Sequence, residues 1–332
     1  MSSCLVHYTN KKHWFAILTA IVICICSFVV GLSIGTVNIS PLQLLSVFSG
    51  YDEILFRIIM YVRLPRVIAA LFVGAALAVS GAILQGVFHN PLAGPNLIGV
   101  NSGAGFIVLV VGAMFTPHPA LMPMFAFLGA MLASLIVMVI MITTNASRLS
   151  IVLIGFAVSS IFAAGMNTIL ILFPQAFVGA STFIVGGFSS ITLQSIIFPA
   201  VYICIGLVIS MLLAKELNIL ALGNDTAKSL GMNVKFTNTL LIAISSVLAG
   251  AAVSLAGLIS FVGLIVPHAV RYIVGNDNKV VIPVSCFVGG AFVVLSDTVA
   301  RTIFAPFELP VGIIIGFVGA PIFIALILRR YD

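Results

Sequence analysis

The chain has 332 residues, of which 62% are hydrophobic and only 7% are charged. A soluble domain carries roughly 25% charged residues, so this composition excludes soluble globular proteins and indicates a polytopic membrane protein. The formal net charge of +6 comes without a basic cluster interleaved with aromatic residues. Membrane lipid is therefore an expected partner, and nucleic acid is not.

Ten membrane spans are predicted from apolar runs of about 20 residues, the length that crosses the hydrocarbon core. In chain order they cover residues 14–35, 67–88, 98–115, 121–143, 150–173, 195–214, 236–256, 258–274, 280–297 and 309–328. The first run is too long for the apolar region of a signal peptide and is interpreted as a retained span. Residues 174–194 are apolar but broken by proline and glycine, so we expect a re-entrant or surface helix on the outer side.

The distribution of lysine and arginine predicts the orientation of these spans. If the N-terminus is cytoplasmic, ten spans return the C-terminus to the cytoplasm, with ten basic residues inside and four outside, as the positive-inside rule requires. The inner set is Lys11, Lys12, Arg148, Lys215, Lys228, Lys235, Arg271, Lys279, Arg329 and Arg330, and the outer set is Arg57, Arg63, Arg66 and Arg301. This parity depends on Gly257 dividing residues 236–274 into two spans, which we expect.

Five stretches of sequence carry a resemblance to a known family. They are RLPR (63–66), VGAALAVSGAILQGVFHNPLAGPNLIGVNSGAG (73–105), ALGNDTAKSLG (221–231), GLISFVGLIVPHAVR (257–271) and ELPVGIIIGFVGAP (308–321). In order and spacing, from about residue 15 to 330, the chain closely resembles the FecCD-type permease subunits of type II ABC importers, which carry iron-siderophores, haem or vitamin B12.

The resemblance implies an all-α membrane protein with about ten transmembrane helices, in which residues 1–332 form one permease domain and residues 215–235 a cytoplasmic coupling loop. It implies a cytoplasmic-membrane importer that moves an iron-siderophore or related metal chelate. The expected partners are a second permease copy or paralogue, a cytoplasmic ATPase dimer and an extracytoplasmic substrate-binding (lipo)protein. The sequence has no G-x-x-x-x-G-K-[ST] motif, so we expect no enzymatic activity and no cofactor in this chain, with ATP-Mg bound by the ATPase.

The resemblance also assigns roles to particular residues. Outward-facing arginines of the family meet acidic residues of the binding protein, and the matching docking residues are Arg63, Arg66 and Arg301. Asp297 lies four residues before Arg301 and could pair with it on one helix face. The motif that couples the permease to the ATPase matches Leu222, Gly223, Ala227, Leu230 and Gly231, and the cytoplasmic gate matches Asn90, Leu92 and Ser147. Asp225 or Thr226 could cap a short helix in the coupling loop, and Gly231 could end it.

Alternatives remain at this point. A haem or vitamin B12 permease of the same family fits the motifs equally well. An ion-coupled secondary transporter usually keeps ionisable residues inside the bilayer, whereas predicted spans 2 to 6 contain no Asp, Glu, Lys or Arg. The scattered histidines predict no metal site. By resemblance, spans 5 and 10 line an uncharged central path.

Overall fold

The computed structural model describes residues 2–35, 39–40, 53–115, 121–144 and 148–328. Every regular element in these ranges is helical, and thirteen helices follow one another along the chain. They are α1 (Ser2–Ser33), α2 (Glu53–Phe88), α3 (Val100–Met114), α4 (Met122–Thr144), α5 (Arg148–Leu172), α6 (Pro174–Val185), α7 (Leu193–Leu212), α8 (Ala214–Ala221), α9 (Asn224–Ser229), α10 (Val234–Ala256), α11 (Val262–Val274), α12 (Asn278–Thr302) and α13 (Val311–Leu328). A single 3₁₀ turn, Pro95–Ile98, precedes α3.

Each of the ten predicted spans coincides with one of these helices, which confirms the predicted all-α membrane architecture. Within the described ranges, seven helices are long and apolar enough to cross a membrane: α1 from Lys12, α2, α4, α5 from Ser150, α7, α10 and α12. The remaining predicted spans correspond to the shorter apolar helices α3, α11 and α13. Gly257 does divide α10 from α11, as predicted, although α11 begins only at Val262.

Helix α2 begins well before the predicted boundary at residue 67. Its first five residues are followed by a π-helical stretch, Ile58–Arg63, and then by regular α-helix from Leu64. Pro65 has no N–H to donate and falls in the first turn of that regular stretch, where the missing donor is tolerated. The helix thus continues through Pro65, two residues before the predicted start of the span, and Arg63 and Arg66 lie inside it.

The core of the bundle is formed by α2, α10 and α12, whose span regions are mostly buried, whereas α1 and α5 present most of their side chains outward. Glycines bring the central helices into backbone contact. A Cβ on Gly74 of α2 would overlap the carbonyl oxygen of Gly289 on α12, and a Cβ on Gly81 would overlap that of Gly263 on α11. Small residues at such crossings let helices approach closely where no hydrophobic effect drives them together.

Helix α6 lies in the predicted irregular stretch 174–194 and is too short to span. The chain beyond it hydrogen-bonds to the break after α10: Gly187 N donates to Ala256 O at 2.8 Å, and Leu258 N donates to Phe183 O at 2.9 Å. Gly312 N, at the start of α13, donates to Gly186 O at 3.1 Å. Irregular backbone is tolerated at membrane depth when protein groups satisfy it, and these bonds satisfy both broken segments together.

Candidate functional site

Two polar regions lie at opposite ends of the regular α-helical part of α2, Leu64–Phe88. The first surrounds Arg66 near the start of this part, and we call it the arginine end. Both carboxylate oxygens of Asp297, on α12, accept hydrogen bonds from the guanidinium. Arg66 Nε donates to Asp297 Oδ2 at 2.9 Å, and Arg66 Nη2 donates to Asp297 Oδ1 at 3.0 Å. The third nitrogen, Nη1, donates to Glu308 Oε2 at 2.6 Å. Fork-shaped pairing of this kind gives both strength and direction.

Two further arginines complete this end. Arg301 Nε lies 3.2 Å from Asp297 Oδ2, an ion pair whose alignment makes no hydrogen bond, and Nη2 donates to Gly31 O of α1 at 3.0 Å. The expected pairing of Asp297 with Arg301 is therefore present. Arg63 Nη1 donates to the last carbonyls of α1, Leu32 O at 2.6 Å and Ser33 O at 3.1 Å. The network thus joins α1, α2 and α12.

The structure places the three arginines differently from the exposed loop positions that the sequence suggested. Arg63, Arg66 and Arg301 are 4%, 6% and 3% exposed, and Asp297 is 1% exposed. Buried guanidinium groups persist when they are paired and hydrogen-bonded, as they are here. Glu308 is the accessible member of the network, with 38% of its side chain exposed. A role for the arginines in docking remains a prediction, and Glu308 stands between Arg66 and solvent.

The second polar region, at the other end of α2, contains α8 and α9, and we call it the loop end. Among the described basic residues, five belong to helices that meet at this end: Lys215, Lys228, Lys235, Arg271 and Lys279. Both short helices fall almost entirely within residues 215–235, the stretch assigned to the coupling loop. Their cap differs from the expectation: α9 begins at Asn224 after Gly223, so Asp225 lies in its first turn instead of capping it.

The residues that match the ATPase-coupling motif divide into exposed and anchoring positions. Leu222 and Leu230 are each 63% exposed, whereas Ala227 is fully buried. Gly223 and Gly231 have positive φ values of +105° and +83°, which favour glycine. Gly231 ends α9 in a left-handed turn, as predicted, with its N–H bonded to Lys228 O at 2.9 Å. The arrangement presents two apolar side chains on a well-anchored pair of short helices.

Helix α8 is fastened to the ends of two core helices. His89 Nε2, just beyond α2, lies 2.6 Å from Leu220 O. Asn218 meets the start of α12: its Nδ2 donates to Asp277 Oδ1 at 2.6 Å, and its Oδ1 accepts from the backbone N of Asn278 at 2.8 Å. Because Asp277 also caps α12 by accepting from Lys279 N, one side chain of α8 holds the N-terminus of α12.

Arg271 adds a crosslink beside this joint. Its Nη2 donates to Asn278 Oδ1 at 2.9 Å and to Ala82 O of α2 at 3.2 Å. The guanidinium therefore joins α11, α12 and α2 at the loop end. The sequence assigned Arg271 only to the positive inner set, and nothing in its spacing indicated this contact.

The predicted gate residues lie beyond the end of α2. Asn90 Oδ1 accepts from Leu92 N at 2.9 Å, an Asx turn that fixes the loop. Leu92 is 44% exposed and lines a cleft together with Leu77, Phe261 and Leu264. Ser147, the third predicted gate residue, lies outside the described residues. The gate role itself stays a prediction.

A cluster of side-chain amides holds the broken segment after α10 at this cleft. Gln85 Nε2 donates to Leu264 O at 3.1 Å, Asn101 Nδ2 donates to Ile259 O at 3.2 Å, and Asn96 Nδ2 donates to Ser260 Oγ at 3.2 Å. The sequence reading missed these residues, as it missed Asn218 and Glu308. Polar side chains inside otherwise apolar motifs were the available signal. Within the described residues, no group of three or more His, Cys, Asp or Glu side chains is placed to hold a metal ion.

The chain was compared with protein families and with known proteins. The family model described as the FecCD transport family matches residues 21–329. A ferric-citrate import permease of Bacillus subtilis is 33% identical, over 96% of each chain. A cobalamin import permease of Halobacterium salinarum is 38% identical, over 88% of this chain and 77% of its own.

A solved structure agrees over a similar extent. It represents an inward-facing conformation of a proposed metal-chelate type ABC transporter, and it superimposes with a TM-score of 0.84 at 29% identity. The match covers 94% of this chain and 98% of the other. With the family model spanning nearly the whole sequence and the helical architecture in agreement, this chain belongs to the FecCD transport family of multi-pass ABC transporter permeases.

Proposed function

We propose that this chain is the permease subunit of an ATP-driven importer that carries a ferric siderophore, or a related metal chelate, across the cytoplasmic membrane. The observation that supports this function best is the separation of two polar regions by the length of α2. The arginine end would face outward and the loop end would face the cytoplasm, with both termini on the cytoplasmic side. The other function from the same family is a haem or vitamin B12 permease.

The loop end would bind the ATPase subunits. Leu222 and Leu230 are exposed apolar side chains in a region rich in lysine, and a hydrophobic groove in a partner would bury them favourably. Hydrolysis would occur entirely in that partner, with ATP-Mg bound there. A second copy of the permease, or a paralogue, would cover the outward-facing side chains of α5 and complete the central path.

The arginine end would receive the substrate-binding protein. Acidic side chains on that protein would have to displace Glu308, the accessible carboxylate of the network, in order to pair with Arg66. Arginine suits such a contact because its fork stays charged and binds carboxylates in two directions. The gate would close the inner mouth of the path, with Leu92 and Ser147 contributed by successive cytoplasmic loops.

The test is co-purification of the permease with its ATPase, followed by ATP hydrolysis in the presence of the binding protein. A hydroxamate siderophore, ferric citrate, haem and cobalamin are compared as ligands. We expect one iron chelate to stimulate hydrolysis. Stimulation by cobalamin or haem alone would select the other function within the family, and a permease that recruits no ATPase would overturn the proposal.

The docking role has its own test. Replacing Arg63→Glu together with Arg66→Glu should abolish stimulation by the binding protein while leaving basal hydrolysis. Because both guanidinium groups are buried and paired, the variant must first be shown to assemble. Arg63→Lys with Arg66→Lys is the matched control, since it keeps the charge and loses the fork. Unchanged stimulation in an assembled Arg→Glu variant would refute the docking role.

An ion-coupled secondary transporter is the competing class. Such a protein needs an ionisable relay within the bilayer. Among the residues that the structure describes, Asp297 is a buried carboxylate, and it is committed to Arg66 and Arg301 near one end of α12. Uptake by the permease alone under a proton gradient would favour that class.

A further inference from the structure

At the loop end, the short helix α8 holds the ends of both core helices α2 and α12. Asn218 of α8 bonds both residues at the start of α12, Asp277 and Asn278. On the same helix, Leu220 O meets His89 at the end of α2. A Cβ on Gly86 of α2 would lie only 2.8 Å from Leu217 Cδ2. Any displacement of α8 therefore acts on α2 and α12 together.

The two helices are also fastened along their length. Near the middle of both helices, the backbones of Gly74 on α2 and Gly289 on α12 are in contact. A Cβ on Gly289 would lie 2.5 Å from Gly74 O. Packed cores and interfaces switch between discrete arrangements and do not deform continuously. A backbone contact this close resists both sliding and rotation of one helix on the other.

At the arginine end, the arginine network joins α2 to α12. Arg66 of α2 is held by both oxygens of Asp297 on α12, and both residues are almost fully buried. α12 has 25 residues, which corresponds to about 37 Å at 1.5 Å per residue. The two helices are antiparallel, and they are joined at the loop end, near their middle and at the arginine end.

We propose that α2 and α12 form one rigid strut that carries displacement between the loop end and the arginine end, and that Asn218 is the positioning residue that ties α8 to it. The inference rests on the proposed function, because it supplies the connection between an ATPase bound at α8–α9 and a protein bound at the arginines. The strut predicts that ATP binding and docking are coupled in both directions, as linkage requires of binding free energies, and that docking therefore changes the rate of ATP hydrolysis.

The test uses the purified complex of permease, ATPase and binding protein, with whichever of the four ligands stimulates the wild type. Asn218→Asp sets two carboxylates against each other at the joint. Asn218→Asp with Asp277→Asn restores a donor opposite an acceptor, and Asn is also a good N-cap. The control is Asn276→Asp, which adds the same charge directly before Asp277. Asn276 is exposed, and its backbone oxygen makes its contact to Arg271.

We expect Asn218→Asp to lower the ratio of stimulated to basal hydrolysis by about fivefold or more, within the usual range of coupling between sites. Basal hydrolysis and the affinity for the binding protein in the absence of nucleotide should stay unchanged. The exchanged pair should recover the ratio, and the control should match the wild type. Asn218→Ala is measured beside them, since it removes the amide without adding charge.

Three results would overturn the inference and leave the proposed function intact. One is a wild-type ratio in the assembled Asn218→Asp and Asn218→Ala variants. The second is a failure of both to bind the ATPase, because Asn218 would then be an anchor without a part in transmission. The third is a change, between nucleotide states, in the distance between spin labels at Tyr61 and Leu295, which are exposed residues of α2 and α12. A rigid strut requires this distance to stay constant. A wild-type complex that no ligand stimulates would instead contradict the proposed function.

Discussion

Asp297→Asn should strongly lower the stability of this protein while leaving the volume of the side chain unchanged. The carboxylate is 1% exposed, accepts three hydrogen bonds from Arg66 and lies in ion-pair contact with Arg301. An amide of the same size keeps the packing but removes the charge shared by both guanidinium groups. Arg66 would keep only the pair with Glu308, and Arg301 would lose its carboxylate.

The expected magnitude follows from burial. Breaking a buried ion pair by removing one partner typically destabilises a protein by about 3–5 kcal/mol, because the remaining charge is left in a low-dielectric environment. Glu308→Gln removes the same charge from the same Arg66, but at a side chain that is 38% exposed. Because water partly solvates this carboxylate, its loss should cost less than the loss of Asp297, so this variant is the matched control.

The measurement is the fraction of monodisperse permease that remains after heating in detergent, followed by size-exclusion chromatography. Asp297→Asn should lose monodispersity at a clearly lower temperature than the wild type, and Glu308→Gln should stay close to the wild type. Equal losses in the two variants, or a stable Asp297→Asn protein, would refute the view that the arginine network holds α1, α2 and α12 together.

Two further predictions concern close packing and the ATPase contact. Gly81→Ala should lower thermal stability, because its Cβ would overlap the carbonyl of Gly263. The control Gly316→Ala has nothing within 4 Å of its Cβ and should be neutral or slightly stabilising. Equal melting temperatures of the two variants would contradict the backbone contact. Leu222→Asp with Leu230→Asp should reduce co-purification of the ATPase by about tenfold or more, as loss of two buried leucines implies, without changing permease stability. Recovery of the ATPase at wild-type yield would remove the α8–α9 surface from the contact.

The helices could be predicted from the sequence because the bilayer imposes their length and forces each to satisfy its own backbone. Apolar runs therefore located a helix at each of the ten predicted spans, and seven of these helices are long and apolar enough to cross a membrane. The turn residues of the coupling loop predicted the end of α9 at Gly231. The start of α2 could not be predicted in this way. A proline such as Pro65 often marks a helix boundary, whereas here the helix continues through it beside a π-helical turn.

The candidate site was predicted less completely, because its polar contacts join residues far apart in the chain. Arg66 and Asp297 are separated by 231 positions, and Asn218 and Asp277 by 59. Local spacing revealed the Asp297–Arg301 pair, which lies on one helix face, but it gave no sign that Arg66 shares the same carboxylate. The burial of the three arginines is likewise a tertiary property, since the charge of a side chain alone favours exposure.

The most direct measurement of the central proposal is uptake into proteoliposomes that contain the permease with or without its ATPase. A radiolabelled ferric siderophore is supplied with the binding protein on the outside, and ATP is enclosed within. The account predicts accumulation only when both the ATPase and ATP are present. Accumulation by the permease alone, driven by an imposed proton gradient, would contradict it.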